Sequence, residues 1–331
     1  MAALALDLPG VTVAAMPRRT PWLRHMLLEL GVALPWQIGG ALIAAELSRA
    51  ARIEDRGARA ARYRHLRERF VRADASGIAL MNVAIQGLSV ERPLARGAGL
   101  SSIDGPDFGD DALLLYVPGG SFVVPRSPHF TAMVARVARA AGIRAIVCDY
   151  RLAPEHPCPA AIDDVETAIE VAVAQGHAAE RIVLIAESTG GGVALGAAQR
   201  LAARGVSLGG MALLSPWLDC DPERGDIPPV ARLCARLYLN GADPRDPAIN
   251  PARGAMGKLP PIAIHANRHD PMFVDAELLA RRAAAAGNSV ELRWWPGRMH
   301  VLERHDDPDA RASIAALADF VVRQLGYRRA A

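Results

Sequence analysis

The strongest constraint in this 331-residue chain is the stretch 181–196, Arg-Ile-Val-Leu-Ile-Ala-Glu-Ser-Thr-Gly-Gly-Gly-Val-Ala-Leu-Gly. It reads as a buried strand that stops at Ser188 and restarts as a helix of small residues, the layout of a nucleophile elbow. A serine hydroxyl is a weak nucleophile at neutral pH. A catalytic serine must therefore stand clear of the backbone, reach a base and lie near N–H groups that can hold an oxyanion. A strand-to-helix turn meets all three requirements. Gly190 and Gly191 permit a tight bend and a close approach of helix to strand, and the helix N-terminus favours negative charge. Ala186 takes the first glycine position of Gly-x-Ser-x-Gly, and alanine is the smallest alternative. The bland reading is that Ser188 merely caps the helix expected over 189–204, since serine is a favoured N-cap.

Other segments fall in an order that favours catalysis. Residues 112–122, Ala-Leu-Leu-Leu-Tyr-Val-Pro-Gly-Gly-Ser-Phe, are an apolar strand running into a glycine turn. After the next strand comes Asp149-Tyr150-Arg151-Leu152-Ala153-Pro154-Glu155-His156-Pro157. Asp270-Pro271 follows an expected strand at 261–267, and Gly297-Arg298-Met299-His300 follows one at 289–296. The order serine, aspartate, histidine differs from that of chymotrypsin and of subtilisin. These blocks, with Pro159-Ala160-Ala161, Ser215-Pro216-Trp217-Leu218-Asp219 and Trp295-Pro296-Gly297, resemble the hormone-sensitive-lipase-like esterases of the α/β-hydrolase fold over roughly residues 82–325. The resemblance implies a triad of Ser188, Asp270 and His300, and an oxyanion hole from the backbone amides of Gly120, Ser121 and Thr189. It implies no metal and no organic cofactor.

One loop departs from the family pattern. The family usually has His-Gly-Gly-Gly and an aromatic where this chain has Pro118-Gly119-Gly120-Ser121-Phe122. Ser121 still carries a backbone N–H, usable if its backbone angles do not demand glycine. Pro118 has neither an N–H nor an imidazole, so another group is expected to hold the loop.

Among nine histidines, His25, His65, His177 and His305 stand in polar or helical contexts and read as surface residues. His129 begins the helix after the glycine loop and can line a pocket, His156 lies in a Pro-rich turn, His265 in an apolar strand and His269 beside Asp270. Only His300 follows the last strand in a short glycine-containing loop, within reach of a serine at the sheet's carboxyl edge. Asp275, one turn after Asp270, is the rival acid and could instead cap the helix at 275–287. Asp270 directly follows the strand, which favours it as the group that fixes the imidazole tautomer.

An apolar fraction of 51% suits a parallel sheet covered on both faces. Cys148, Cys158, Cys220 and Cys234 lack Cys-x-x-Cys spacing, which argues for neither a zinc site nor a disulfide framework and suits a reducing cytoplasm. Net charge is only +3, with Lys258 the sole lysine. Arginines at 56, 59, 62, 64, 67, 69 and 72 alternate with Glu54, Asp55 and Glu68, while Ala60, Tyr63, Leu66 and Phe70 recur at helical spacing. That is a solvated helix face, and nucleic-acid binding is not expected. The acidic run Asp219, Asp221, Glu223, Asp226 lacks EF-hand spacing.

The first 80 residues lie outside the sheet pattern and read as helical. Met26 to Ala45 is the most apolar stretch, yet Gly31, Pro35, Gln37 and Gly39-Gly40 interrupt it, so a covering element is expected over a membrane segment. Strands are expected at 82–94 (one or two antiparallel edge strands), 112–117, 144–149, 181–187, 210–216, 261–267 and 289–295. Helices are expected at 129–141, 160–175, 189–204, 273–287 and 308–325. The expectation is an α/β-hydrolase fold with a mostly parallel twisted sheet. Its core would be 82–219 and 258–331, with 1–81 and 220–257 as a helical cap. The expected partner is a small-molecule ester of small to medium acyl length, with a homodimer admitted. An amidase, deacetylase or lactonase on the same triad, or a ligand receptor on the same scaffold, are the alternatives; His300 argues against the last.

Overall fold

A computed structural model describes residues 6, 8–17, 45–72, 75–91, 99–297 and 300–326. A single nine-stranded sheet runs β1-β9-β8-β7-β6-β4-β5-β3-β2. Its members are β1 (Val11–Ala15), β2 (Ser89–Glu91), β3 (Gly99–Asp104), β4 (Gly109–Val117), β5 (Ile143–Asp149), β6 (Ile182–Glu187), β7 (Gly210–Leu214), β8 (Ile262–Asn267) and β9 (Val290–Trp295). Only β2 and β3 run antiparallel to their neighbours. The helices are α1 (described over 45–51), α2 (Arg56–Arg72), α3 (Ala75–Ala84), α4 (Pro128–Ala141), α5 (Ala160–Ala174), α6 (Thr189–Ala203), α7 (Pro229–Leu239), α8 (Phe273–Ala285) and α9 (Pro308–Leu325).

The central strands are largely apolar because both faces are covered, and successive side chains go to opposite layers. Leu113, Leu115, Val117, Ile182, Leu184 and Ala186 face α5, α6 and α8. Leu114, Tyr116, Val183 and Ile185 face α4 and α9. Burying a side chain of this size contributes roughly 1.5–3 kcal/mol, so these two layers dominate stability. Helix ends follow local chemistry. Asp307 caps α9 by accepting from the amides of Asp309 and Ala310 ahead of Pro308, and Gly326 ends it at φ 60°.

Two expectations fail. The N-terminal region contributes β1, paired in parallel with β9 from Val11↔Val290 to Ala15↔Trp294. A five-residue edge strand that is only half-buried carries too weak a pattern to stand out beside helical composition. The region 82–94 is not all strand: α3 runs to Ala84, with Leu80, Met81, Ala84 and Ile85 packed on the α4 layer at helical spacing. Gly87 at φ 76° breaks the chain before β2, and β3 was not expected at all. Met26–Ala45 lies almost entirely outside the described residues. Among the described residues no helix is long and apolar enough to cross a membrane.

Candidate active site

Ser188 sits at the end of β6 with φ 53° and ψ −128°, a conformation that L-residues rarely adopt and that costs on the order of 1–3 kcal/mol. Three backbone bonds enforce it: Ser188 N–H donates to Leu214 O at 3.0 Å, and Ser188 O accepts from Gly191 at 3.0 Å and Trp217 at 2.8 Å. Gly190 and Gly191 are required by close approach. A Cβ on Gly190 would collide with the carbonyl oxygens of Val117 and Pro118, and one on Gly191 with Pro216. Ser188 is thus held clear of the strand, 8% exposed, at the carboxyl edge where open α/β sheets place their crevices.

The loops after β8 and β9 are stitched together by Arg268 N–H to Trp295 O at 2.8 Å and His269 N–H to Gly297 O at 2.9 Å. They bring Asp270 and His300 into contact, Nδ1 to Oδ2, at 2.8 Å. Asp270 is buried, and its other oxygen accepts from the Met272 amide at 3.0 Å. Ser215, at φ 42°, takes the Val301 N–H on its Oγ at 3.1 Å and so pins the residue after His300. Burial acts to weaken proton binding by His300, but the charge and hydrogen bond of Asp270, with the charge of Glu187, outweigh it. The imidazole therefore lies above its ordinary pKa. Asp275 turns elsewhere: it accepts from the amides of Leu218 and Asp219 at 2.7 and 3.1 Å and pairs with Arg224 at 2.7 Å. Of the two acids, Asp270 is the one in contact with His300.

Ser188, Asp270 and His300 line one cavity of about 430 Å³, together with Gly120 and Ser121. Thr189, the first residue of α6, is fully buried and is not part of its wall. Gly120 has φ 112° and its carbonyl accepts from Val123 and Val124 at 3.1 and 2.8 Å, so a Cβ there would run into Val124 O. Ser121 and Phe122 both have positive φ, 52° and 65°. A serine tolerates this region at a cost, so glycine is not demanded.

The loop is held without an imidazole. The Glu187 carboxylate accepts from the Gly119 amide and from Tyr116 O–H. Phe122 stacks on Tyr238 at 3.9 Å between ring centres. Arg67 donates to Val123 O at 2.8 Å and Ala153 O at 2.7 Å, and forks onto Glu155. Arg67 therefore leaves the solvated face expected of α2 and ties it to the core. The Asp149–Pro157 block is likewise structural in its charges, since Asp149 pairs with Arg126, Arg151 with Asp164 and Glu155 with Arg67. His129 lines the cavity as expected. His305 is half-buried and not a surface residue: burial, Arg304, His129 and Arg136 lower it to about 3. His265 is buried against Ser313 Oγ at 2.7 Å, away from the cavity.

Glu187, Ser215 and Arg67 escaped the reading of the sequence. Glu187 had a signal, a lone carboxylate closing an otherwise apolar strand. Ser215 was visible only as part of a motif without a role.

A family model described as alpha/beta hydrolase fold matches residues 114–304. An acetyl-hydrolase of Streptomyces hygroscopicus is 31% identical over 232 residues, covering 66% of this chain and 77% of that protein. The carboxylesterase NlhH of Mycobacterium tuberculosis is 37% identical over 191 residues, 50% of this chain and 59% of its own. Among solved structures, EstE5 soaked with p-nitrophenyl butyrate superposes with a TM-score of 0.70 at 27% identity, over 76% of this chain and 91% of that one. An esterase from the bacterial hormone-sensitive lipase family does so at 0.69 and 26%, over 87% and 98%. The chain belongs to the α/β-hydrolase fold family and, within it, to the hormone-sensitive-lipase-like esterases.

Proposed function

We propose that the chain hydrolyses carboxylic esters of small to medium acyl length through an acyl-enzyme on Ser188. The observation that carries this is the 2.8 Å Asp270–His300 pair in the cavity that also holds the strained Ser188. With Nδ1–H donated to Asp270, Nε2 is the basic nitrogen. It takes the Ser188 proton as Oγ adds to the ester carbonyl, and returns it to the leaving alcohol as the C–O bond breaks. Water then repeats the cycle and releases the acid. The backbone amides of Gly120, Ser121 and Thr189 receive the oxyanion. Residues 220–257 act as the cover: Pro228, Val230, Ala231 and Cys234, at and around the start of α7, supply apolar wall to the cavity, which suits a short to medium acyl chain. A screen over esters, lactones and acetamides with a Ser188→Ala control tests the reading. Preference for acetamides would move the chain to the amidases, and undiminished turnover in the variant would remove Ser188 as nucleophile.

A further inference from the structure

Glu187 stands immediately before Ser188, is 1% exposed and borders the cavity. Its two hydrogen bonds, from the Gly119 amide and from Tyr116 O–H, are donated to the same oxygen, Oε1. Burial raises the carboxyl pKa of Glu187, while these two donors and the charges of His300 and Arg304 oppose it. A Cβ on Gly119 would come within 2.5 Å of the other oxygen, so the carboxylate fits beneath the loop because residue 119 is glycine. Glu187 and Arg304 line the same cavity as His300; an ionised Glu187 joins Asp270 in favouring the protonated imidazole, and Arg304 opposes it. Pro118 withdraws the one side chain that the resemblance would have used to hold this loop.

We propose that Glu187 is a positioning residue with two separable tasks: its Oε1 clamps the oxyanion loop through Gly119, and its negative charge steadies the protonated His300 imidazole. The inference rests on the esterase reading for its catalytic meaning, but each task has a physical signature that needs no turnover. Reach and charge can be uncoupled. Glu187→Gln keeps an acceptor oxygen at the same distance and loses the charge; Glu187→Asp keeps the charge and falls one methylene short of the loop.

The test is a crossed measurement on the full chain. Imidazole NMR titration reads the proton affinity of His300, and hydrogen exchange reads the amides of the 118–124 peptide. Glu187→Gln should lower the His300 pKa, with the acid limb of kcat/KM moving to lower pH, while loop exchange stays near wild type. Glu187→Asp should leave the His300 titration near wild type and raise loop exchange several-fold, with kcat falling more than KM changes. His300 titrating unchanged in Glu187→Gln overturns the charge task. Unchanged loop exchange in Glu187→Asp overturns the clamp. If the wild type hydrolyses no ester yet both signatures appear, the esterase reading fails and the positioning stands.

Discussion

On its sheet side the cavity is made of loop residues whose backbones are fixed bond by bond; on its covering side it is made of side chains from residues 228–239 that pack. Ser188 is held by Leu214, Gly191 and Trp217, and His300 by Asp270 with its neighbour on Ser215. The cover is joined to the core by Phe122 stacked on Tyr238, with Cys234 and Tyr238 buried in the main core. The first arrangement fixes atoms to fractions of an ångström, as a proton relay needs. The second fixes volume and polarity, which is what selection among acyl chains needs. Substitutions on the sheet side should therefore change kcat for every ester, and those on the cover should change the ranking of esters.

The largest effects test the sheet side. Ser188→Ala and His300→Ala should each lower kcat on the order of 10⁴-fold or more, with the double variant little worse, because both act in one proton transfer. Asp270→Asn should fall into the same range and should also shift pH dependence. With Asp270 present, His300 lies above the usual value near 6.5, so kcat/KM declines as pH drops through that raised value. Without the charge, the acid limb should move down. A double variant far worse than either single one would separate the two residues mechanistically.

Next is the loop backbone. Gly120→Ala places a Cβ against Val124 O at a φ of 112° that alanine does not hold, so the loop must shift. Misplacing one oxyanion donor costs roughly 10²-fold in kcat, about 3 kcal/mol. Unchanged kcat on an activated ester would show that this amide does not bind the oxyanion.

A smaller effect should come from the cover, and of a different kind. Val230 is half-buried and lines the cavity. Val230→Trp should lower kcat/KM for longer acyl esters about tenfold while leaving acetate esters nearly unaffected, since losing a few methylene contacts is worth roughly 1–3 kcal/mol. Equal loss across chain lengths would mean that the cover also positions the chemistry.

A further prediction concerns stability on the sheet side. His305 is depressed to about 3 in the fold, below its unfolded value near 6.5. The stability it supports is therefore present above about pH 6.5 and lost as pH falls toward the folded value. His305→Gln should flatten the fall of Tm over that window. Tm curves that stay parallel would show that another group governs acid unfolding.

The same contrast explains what could be seen in advance. β4 to β9 were legible because parallel strands buried on both faces are long apolar runs, and α9 because Asp307, Pro308 and Gly326 mark its ends. Asp270 and His300 were legible because each follows a strand directly, which fixes where their side chains can go. β1 was not, being a half-buried edge strand, and neither was β3, a short antiparallel strand of mixed burial next to the edge strand β2. Glu187 and Arg67 were missed for another reason. Their partners are 68 and 88 residues distant, at Gly119 and Glu155, and the local sequence does not show which group a side chain will meet at such separation.

The smallest expected effect is at Ser121, where the two kinds of construction meet. Its φ of 52° lies in the left-handed region, which costs an L-residue roughly 1–2 kcal/mol. Ser121→Gly removes that strain but gives the unfolded chain more freedom, worth about 0.5–1 kcal/mol in the opposite sense. Stability should therefore change by no more than about 1 kcal/mol. If the donor is the main-chain N–H, kcat on an activated ester should remain within a few-fold of wild type. If instead the hydroxyl supplies the hydrogen bond, or the Cβ fixes the loop, kcat should drop by roughly tenfold or more, about 1.4 kcal/mol. That outcome would move Ser121 from the backbone-built side of the cavity to the side built from side chains.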